Sequence, residues 1–137
     1  MSSATGLGGR REAREEALSF LYETELTGDP VDDALAARDV PPEPYAIEMI
    51  QGVAAEQADL DALISDNLTG WSLSRMPIVD RVIARMAAWE LRSRPDVPTG
   101  AVLSEAVEIA TQYCAEDSPR FLNGVLRAVA DSVRPSE

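Results

Sequence analysis

From Trp71 to Arg134 the apolar residues recur in steps of three and four across three successive segments, and packed amphipathic helices are the arrangement that buries such a pattern. Ile78, Val79, Val82, Ile83, Met86 and Trp89, with Leu91, give the first segment an apolar sector wide enough for a central, buried position. Pro77 suits its first turn, and Pro95 and Pro98 end it. Asp80, Arg81 and Arg85 are expected on its polar side. Leu103, Ala106, Val107, Ala110 and Cys114 stripe the second segment. Phe121, Leu122, Val125, Leu126 and Val129 stripe the third, where Ser118 is placed to cap and Pro119 to open the helix.

The front half reads in the same way. A first helix is expected from Arg10 to Leu26, with Ala13, Ala17, Phe20, Leu21 and Thr24 inward and Gly28 as its terminator. Asp29 is the expected cap and Pro30 the first residue of a short second helix, which stops before Pro41-Pro42. A long helix is expected from Pro44 to Leu68, striped by Ile50, Val53, Gln57, Leu60, Ile64 and Leu68, with Gln57 finding a hydrogen bond at the core edge. Glycine costs ~1 kcal/mol inside a helix, so Gly52 marks a close helix crossing. Thr69-Gly70-Trp71 is the clearest internal boundary.

Residues 1–9 are expected to be a mobile tail, followed by a single domain over 10–137 with helical halves at about 10–70 and 71–134. Only 5% of residues are aromatic while Ala, Leu, Glu and Arg recur at helical spacing, so the fold class is all-α. The opening MSSATGLGG carries no positive start and no apolar run, which points to a cytoplasmic protein without a membrane segment.

Chemistry is constrained by what is missing. The chain has no histidine and one cysteine, Cys114, which lies on an apolar stripe and reads as a small buried hydrophobe. No CxxC, HExxH or GxxxxGK[ST] occurs, and Gly6-Leu7-Gly8-Gly9 follows no strand. Acid pairs such as Glu15/Glu16 and Asp32/Asp33 read as solvated helix faces. No catalytic residue, metal or cofactor is expected.

Net charge is −12 and unevenly placed: residues 1–70 hold 4 Arg against 15 acids, residues 71–137 hold 8 Arg against 9. An acidic surface repels phosphate, so any nucleic-acid surface must be local. All twelve basic residues are arginine. Guanidinium bridges phosphates and stacks on bases, although genome-wide arginine usage or salt adaptation accounts for the missing lysines equally well.

Several segments, in order along nearly the whole chain, resemble the NusB transcription antitermination and ribosomal RNA processing factors. They are Arg10-Arg11-x-Ala13-Arg14-Glu15 leading to Leu21-Tyr22, Gly52-Val53-Ala54, and Trp89-Glu90-Leu91 with Asp96-Val97-Pro98. Glu105-Ala106 with Ile109-Ala110 follows, then Ala115-Glu116-Asp117-Ser118 running into Phe121-Leu122-Asn123-Gly124-Val125-Leu126. The resemblance implies about seven helices in two packed helical subdomains. It also implies a non-enzymatic protein that, with the ribosomal protein NusE, binds boxA-type single-stranded RNA and joins RNA polymerase with other Nus factors, supporting antitermination and ribosomal RNA maturation.

Position by position, the resemblance places Arg10, Arg11 and Arg14 in an arginine-rich RNA-binding motif. Their spacing puts Arg10 and Arg14 on one helix face with Arg11 beside them. Phe121 corresponds to an aromatic near the RNA, either stacking on a base or packing in the core. Asp117 corresponds to an acid near both RNA and NusE, a role compatible with capping the last helix. Tyr22 and Asp80 correspond to partner-binding positions, with Asp80 equally readable as an exposed charge beside Arg81. Residues 10–25 depart from the dense basic motif, holding three arginines against five glutamates. RNA binding is therefore expected to depend on the partner, with a log–log salt slope of about −2 for three phosphate contacts. Two alternatives stay open: an acidic protein-interaction module with weakened RNA binding, and an isolated RNA-binding domain related to ribosomal RNA cytosine methyltransferases. The residues leave monomer and homodimer equally open.

Overall fold

A computed structural model describes residues 7–135. Seven α-helices follow one another: α1 Leu7–Thr27, α2 Val31–Ala36, α3 Pro44–Ala55, α4 Gln57–Asp66, α5 Ile78–Ser93, α6 Thr99–Tyr113 and α7 Ser118–Val133. A short 3-10 turn, Leu73–Arg75, precedes α5, and no strand occurs among the described residues. The all-α expectation is met. None of these helices is long and apolar enough to cross a membrane. The expected tail lies outside the described residues over 1–6, and α1 begins three residues ahead of Arg10.

The apolar sector of α5 makes it the hub: α5 packs against α1, α3, α4, α6 and α7, and residues 82–91 are buried without interruption. One hydrophobic cluster results, drawing Phe20 from α1, Ile50 from α3, Leu60 and Ile64 from α4, and Leu122 and Leu126 from α7. Each such fully buried side chain contributes about 1.5–3 kcal/mol relative to exposure. Gly52 marks a close crossing, as expected. A Cβ there would lie 2.1 Å from Trp89 Nε1, so only glycine lets α3 approach the indole.

Several local expectations are corrected. The long helix over 44–68 is two helices, broken at Glu56, whose backbone leaves helical values at φ −111 and ψ 17. The break lets α3 lie against α1 and α5 while α4 turns onto α5 and α7, which one straight rod could not do. Gln57 consequently opens α4 on the exposed side rather than filling the stripe. Gly28 does end α1, at φ +78. Asp29 does not cap α2, because Pro30 occupies the N-cap position and carries no acceptor side chain. Pro77 and Pro98 likewise sit at N-caps in extended backbone. Among the described N-cap residues, Glu43 is the one whose side chain does cap, accepting from the Tyr45 N–H at 2.6 Å.

The far end of the chain closes on α5. Arg134 donates to the carbonyls of Leu91 at 2.8 Å, Glu90 at 3.1 Å, Arg94 at 2.7 Å and Val97 at 2.7 Å, and to Thr99 Oγ1 at 3.0 Å. Those carbonyls belong to the last turn of α5 and the loop beyond it. A guanidinium suits them because helix C-terminal oxygens lack intrahelical partners and carry partial negative charge.

Candidate nucleic-acid interface

The three arginines of the N-terminal motif face acids from the back half. Arg14 is 2% exposed and forms a bidentate pair with Glu90, Nε to Oε1 and Nη2 to Oε2 both at 2.8 Å. The Tyr45 hydroxyl donates to Glu90 Oε2 at 2.6 Å. Burial and then the Glu90 carboxylate push the Tyr45 phenol above its ordinary range, so it stays a donor. For Arg14, burial opposes the charge most strongly, yet hydrogen bonding and attraction from Glu90 outweigh it and leave the pKa raised. Its Nη1 is buried without a hydrogen-bond partner, 3.9 Å from Glu105 Oε1.

Arg11 bridges Glu105 and Glu108 on α6, and the hydrogen bonds it donates to those carboxylates raise its pKa further. Arg10 lies 3.6 Å from Asp96 and over the Tyr45 ring at 4.5 Å, while Arg94 approaches the same ring at 5.0 Å. The motif therefore fastens α1 to α3, α5 and α6. For Arg14 this revises the expectation of a phosphate contact, because a side chain 2% exposed in a paired fork offers a phosphate no approach. Arg10 and Arg11 remain partly exposed at the edge of the same network.

Asp117, Phe121 and Asp80 come together in a cleft of about 250 Å³ between the start of α5 and the start of α7. Asp80 and Arg85 are not on a polar face, as expected of them; they are 4% and 5% exposed. Arg85 pairs with Asp61 at 2.7 Å and Glu25 at 3.2 Å. Asp80 Oδ2 accepts from Ser118 Oγ at 2.7 Å, and its Oδ1 is buried without a partner. The Ser118 hydroxyl is thereby withdrawn from the capping role expected of it, and Asp117, in the N-cap position, makes no side-chain cap either. Cys114 packs half-buried beside Asp80; burial first, then the Asp80 carboxylate, push its thiol up to about 12.

Phe121 is half-buried and meets Trp71 at a ring separation of 5.9 Å and a tilt of 57°. Trp71 is 53% exposed and rims the cleft. Sequence reading treats this tryptophan only as a boundary marker. The signal available was a large aromatic just after a glycine turn, where no core stripe claims it. Tyr22 stands apart from this cleft, 39% exposed in an apolar groove of about 390 Å³ with Leu18, Val79 and Tyr113. The candidate residues thus fall into three places: the α1 edge, the aromatic cleft and the Tyr22 groove. Among the described residues no cluster of acids and cysteine is arranged to hold a metal ion.

Comparisons with known proteins extend over the same residues. A family model described as the NusB family matches residues 11–131. The transcription antitermination protein NusB of Cutibacterium acnes is 44% identical over 128 residues, covering 90% of this chain and 49% of that protein, so this chain spans about half its length. The protein of the same name from Salinispora tropica is 43% identical over 129 residues, covering 89% of this chain and 95% of that one. The solved structure of T. maritima NusB shares the fold with a TM-score of 0.83 at 31% identity, covering 92% of this chain and 93% of that chain. The matched span runs from Arg11 on α1 to Asp131 on α7 and so contains the ion-pair network, the aromatic cleft and the Tyr22 groove: the chain belongs to the NusB family.

Proposed function

We propose that this chain is a cytoplasmic, non-catalytic transcription antitermination factor that pairs with the ribosomal protein NusE. The heterodimer holds boxA-type single-stranded RNA, joins RNA polymerase with other Nus factors and supports ribosomal RNA maturation. The observation that carries the RNA part is the Trp71–Phe121 pair, an accessible aromatic surface at the rim of a cleft edged by Asp117. Unpaired bases stack on such surfaces at about 1–3 kcal/mol each, independently of net protein charge. Arg10 and Arg11 supply phosphate contacts from the α1 edge, with Arg14 holding that edge in place through Glu90. The Tyr22 groove and Asp117 are the NusE-facing positions, with Asp80 beside them holding the start of α7 next to Asp117 through Ser118.

A second reading, a protein-interaction module with weakened RNA binding, is favoured by one observation: the acids of α5 and α6 already occupy the motif arginines. Fluorescence anisotropy of a labelled boxA RNA, with the chain alone and with NusE, separates the two. Tight binding only with NusE, weakened by Arg10→Gln together with Arg11→Gln, is the expected result. Absence of boxA-selective binding in both conditions overturns the antitermination reading in favour of the interaction module.

A further inference from the structure

Among the described residues, seven of the twelve arginines are within 4 Å of a carboxylate: Arg10, Arg11, Arg14, Arg38, Arg85, Arg92 and Arg94. Arg134 is spent on the α5 carbonyls. Among the described residues, Arg120 and Arg127 make no ion pair and no hydrogen bond, and both are exposed. They share one groove. It lies between α6 and α7, holds about 590 Å³ and is lined by both guanidinium-bearing residues together with Asn123, Ser104, Thr99 and Glu108.

Helix geometry sets Arg120 and Arg127 on one face, two turns and about 10 Å apart along the axis, with Asn123 between them. The one carboxylate on the groove wall, Glu108, is engaged by Arg11 and so is largely neutralised toward the groove. A channel with two uncompensated cations and amide and hydroxyl groups, in a chain of net charge −12, is matched to a string of phosphates. It also adjoins both places assigned to RNA above. Arg120 precedes Phe121 at the start of α7, and Glu108 ties the same end of the groove to Arg11.

We infer that the α6–α7 groove carries the sugar–phosphate backbone of the RNA beyond the base stacked at Trp71 and Phe121, with Arg120 and Arg127 each contacting a phosphate. This inference rests on the antitermination reading and names a second backbone track for the same RNA. The N-terminal motif and the groove then divide the work. Arg10 and Arg11 meet phosphates at the α1 edge, where Arg11 also screens Glu108 on the groove wall, while Arg120 and Arg127 take the phosphates farther along.

The test is a salt series of boxA RNA titrations with the chain in complex with NusE, comparing wild type, Arg120→Gln/Arg127→Gln, and Arg75→Gln as an exposed arginine outside the groove. The double variant should bind about 10- to 100-fold more weakly at low salt, and its log–log salt slope should flatten by about 1.4, two phosphates at 0.7 each. Arg75→Gln should stay within about twofold of wild type. Both groove positions are exposed, so the melting temperature should not move. Wild type that binds while the double variant keeps its affinity and slope overturns the groove alone, as does an equal loss in Arg75→Gln. Wild type that does not bind boxA RNA overturns the groove and the antitermination reading together.

Discussion

Arginines of α1 and arginines of α7 stand in opposite situations. Along α1 each motif guanidinium meets carboxylates from the back half of the chain, and the deepest of them is sealed against Glu90. Along α7 two guanidiniums stand in a groove whose lining acid, Glu108, is paired with Arg11 instead. The same side chain is a fastener in one region and an open charge in the other. A basic motif therefore does not by itself locate phosphate contacts; the acids facing it decide whether its charge is available.

The largest expected effect breaks the fastener. Arg14→Ala leaves Glu90 and the Tyr45 hydroxyl buried without their cation, and should cost about 3–5 kcal/mol in urea unfolding. A loss below about 1 kcal/mol would show that α1 is not held through this pair. One consequence concerns RNA work: an alanine change at Arg14 weakens binding by loosening the fold, so it must be separated from changes at Arg10 and Arg11.

Trp71→Ala probes the other region. The side chain is 53% exposed, so stability should change by about 0.5 kcal/mol or less, while RNA affinity in the NusE complex should fall by about 1–3 kcal/mol. Equal loss of stability and affinity would make the aromatic pair a packing feature instead. The effect that is smallest at neutral pH sits beneath that cleft, at Cys114. Its thiol is raised from 9.0 to about 12 in the folded chain, so the unfolded thiol releases its proton first as pH rises. Stability should be indifferent to Cys114 below pH 9 and decline between pH 9 and 12, and Cys114→Ala should remove that part of the decline. An alkylation rate that already rises near pH 9 in the folded protein would contradict the shift.

Much of the fold was legible because its information is local. The stripes on α5, α6 and α7 placed three helices, Gly28 ended α1, and Gly52 announced the approach to Trp89. The break at Glu56 was not legible, since the apolar steps continue across it and only packing against two different neighbours requires the turn. Asp80 and Arg85 were misplaced because a polar residue on a helix looks solvent-facing until its partner is known, and Ser118 and Asp61 lie far off in sequence. The motif arginines show the same limit. Arg14 and Glu90 are 76 positions apart, and Arg11 and Glu105 are 94 apart, so no spacing reveals that one neutralises the other. Phe121 and Asp117 were placed in one neighbourhood by resemblance, whereas Trp71 lacked any pattern tying it to α7.

Arg134 gives the chain a timing constraint. Its guanidinium serves carbonyls that were made some forty residues earlier, from Glu90 to Val97. During synthesis the end of α5 must wait for translation to pass all seven helices before its last oxygens find their donor. A nascent chain halted before that point leaves the carbonyls of Glu90, Leu91, Arg94 and Val97 without that guanidinium.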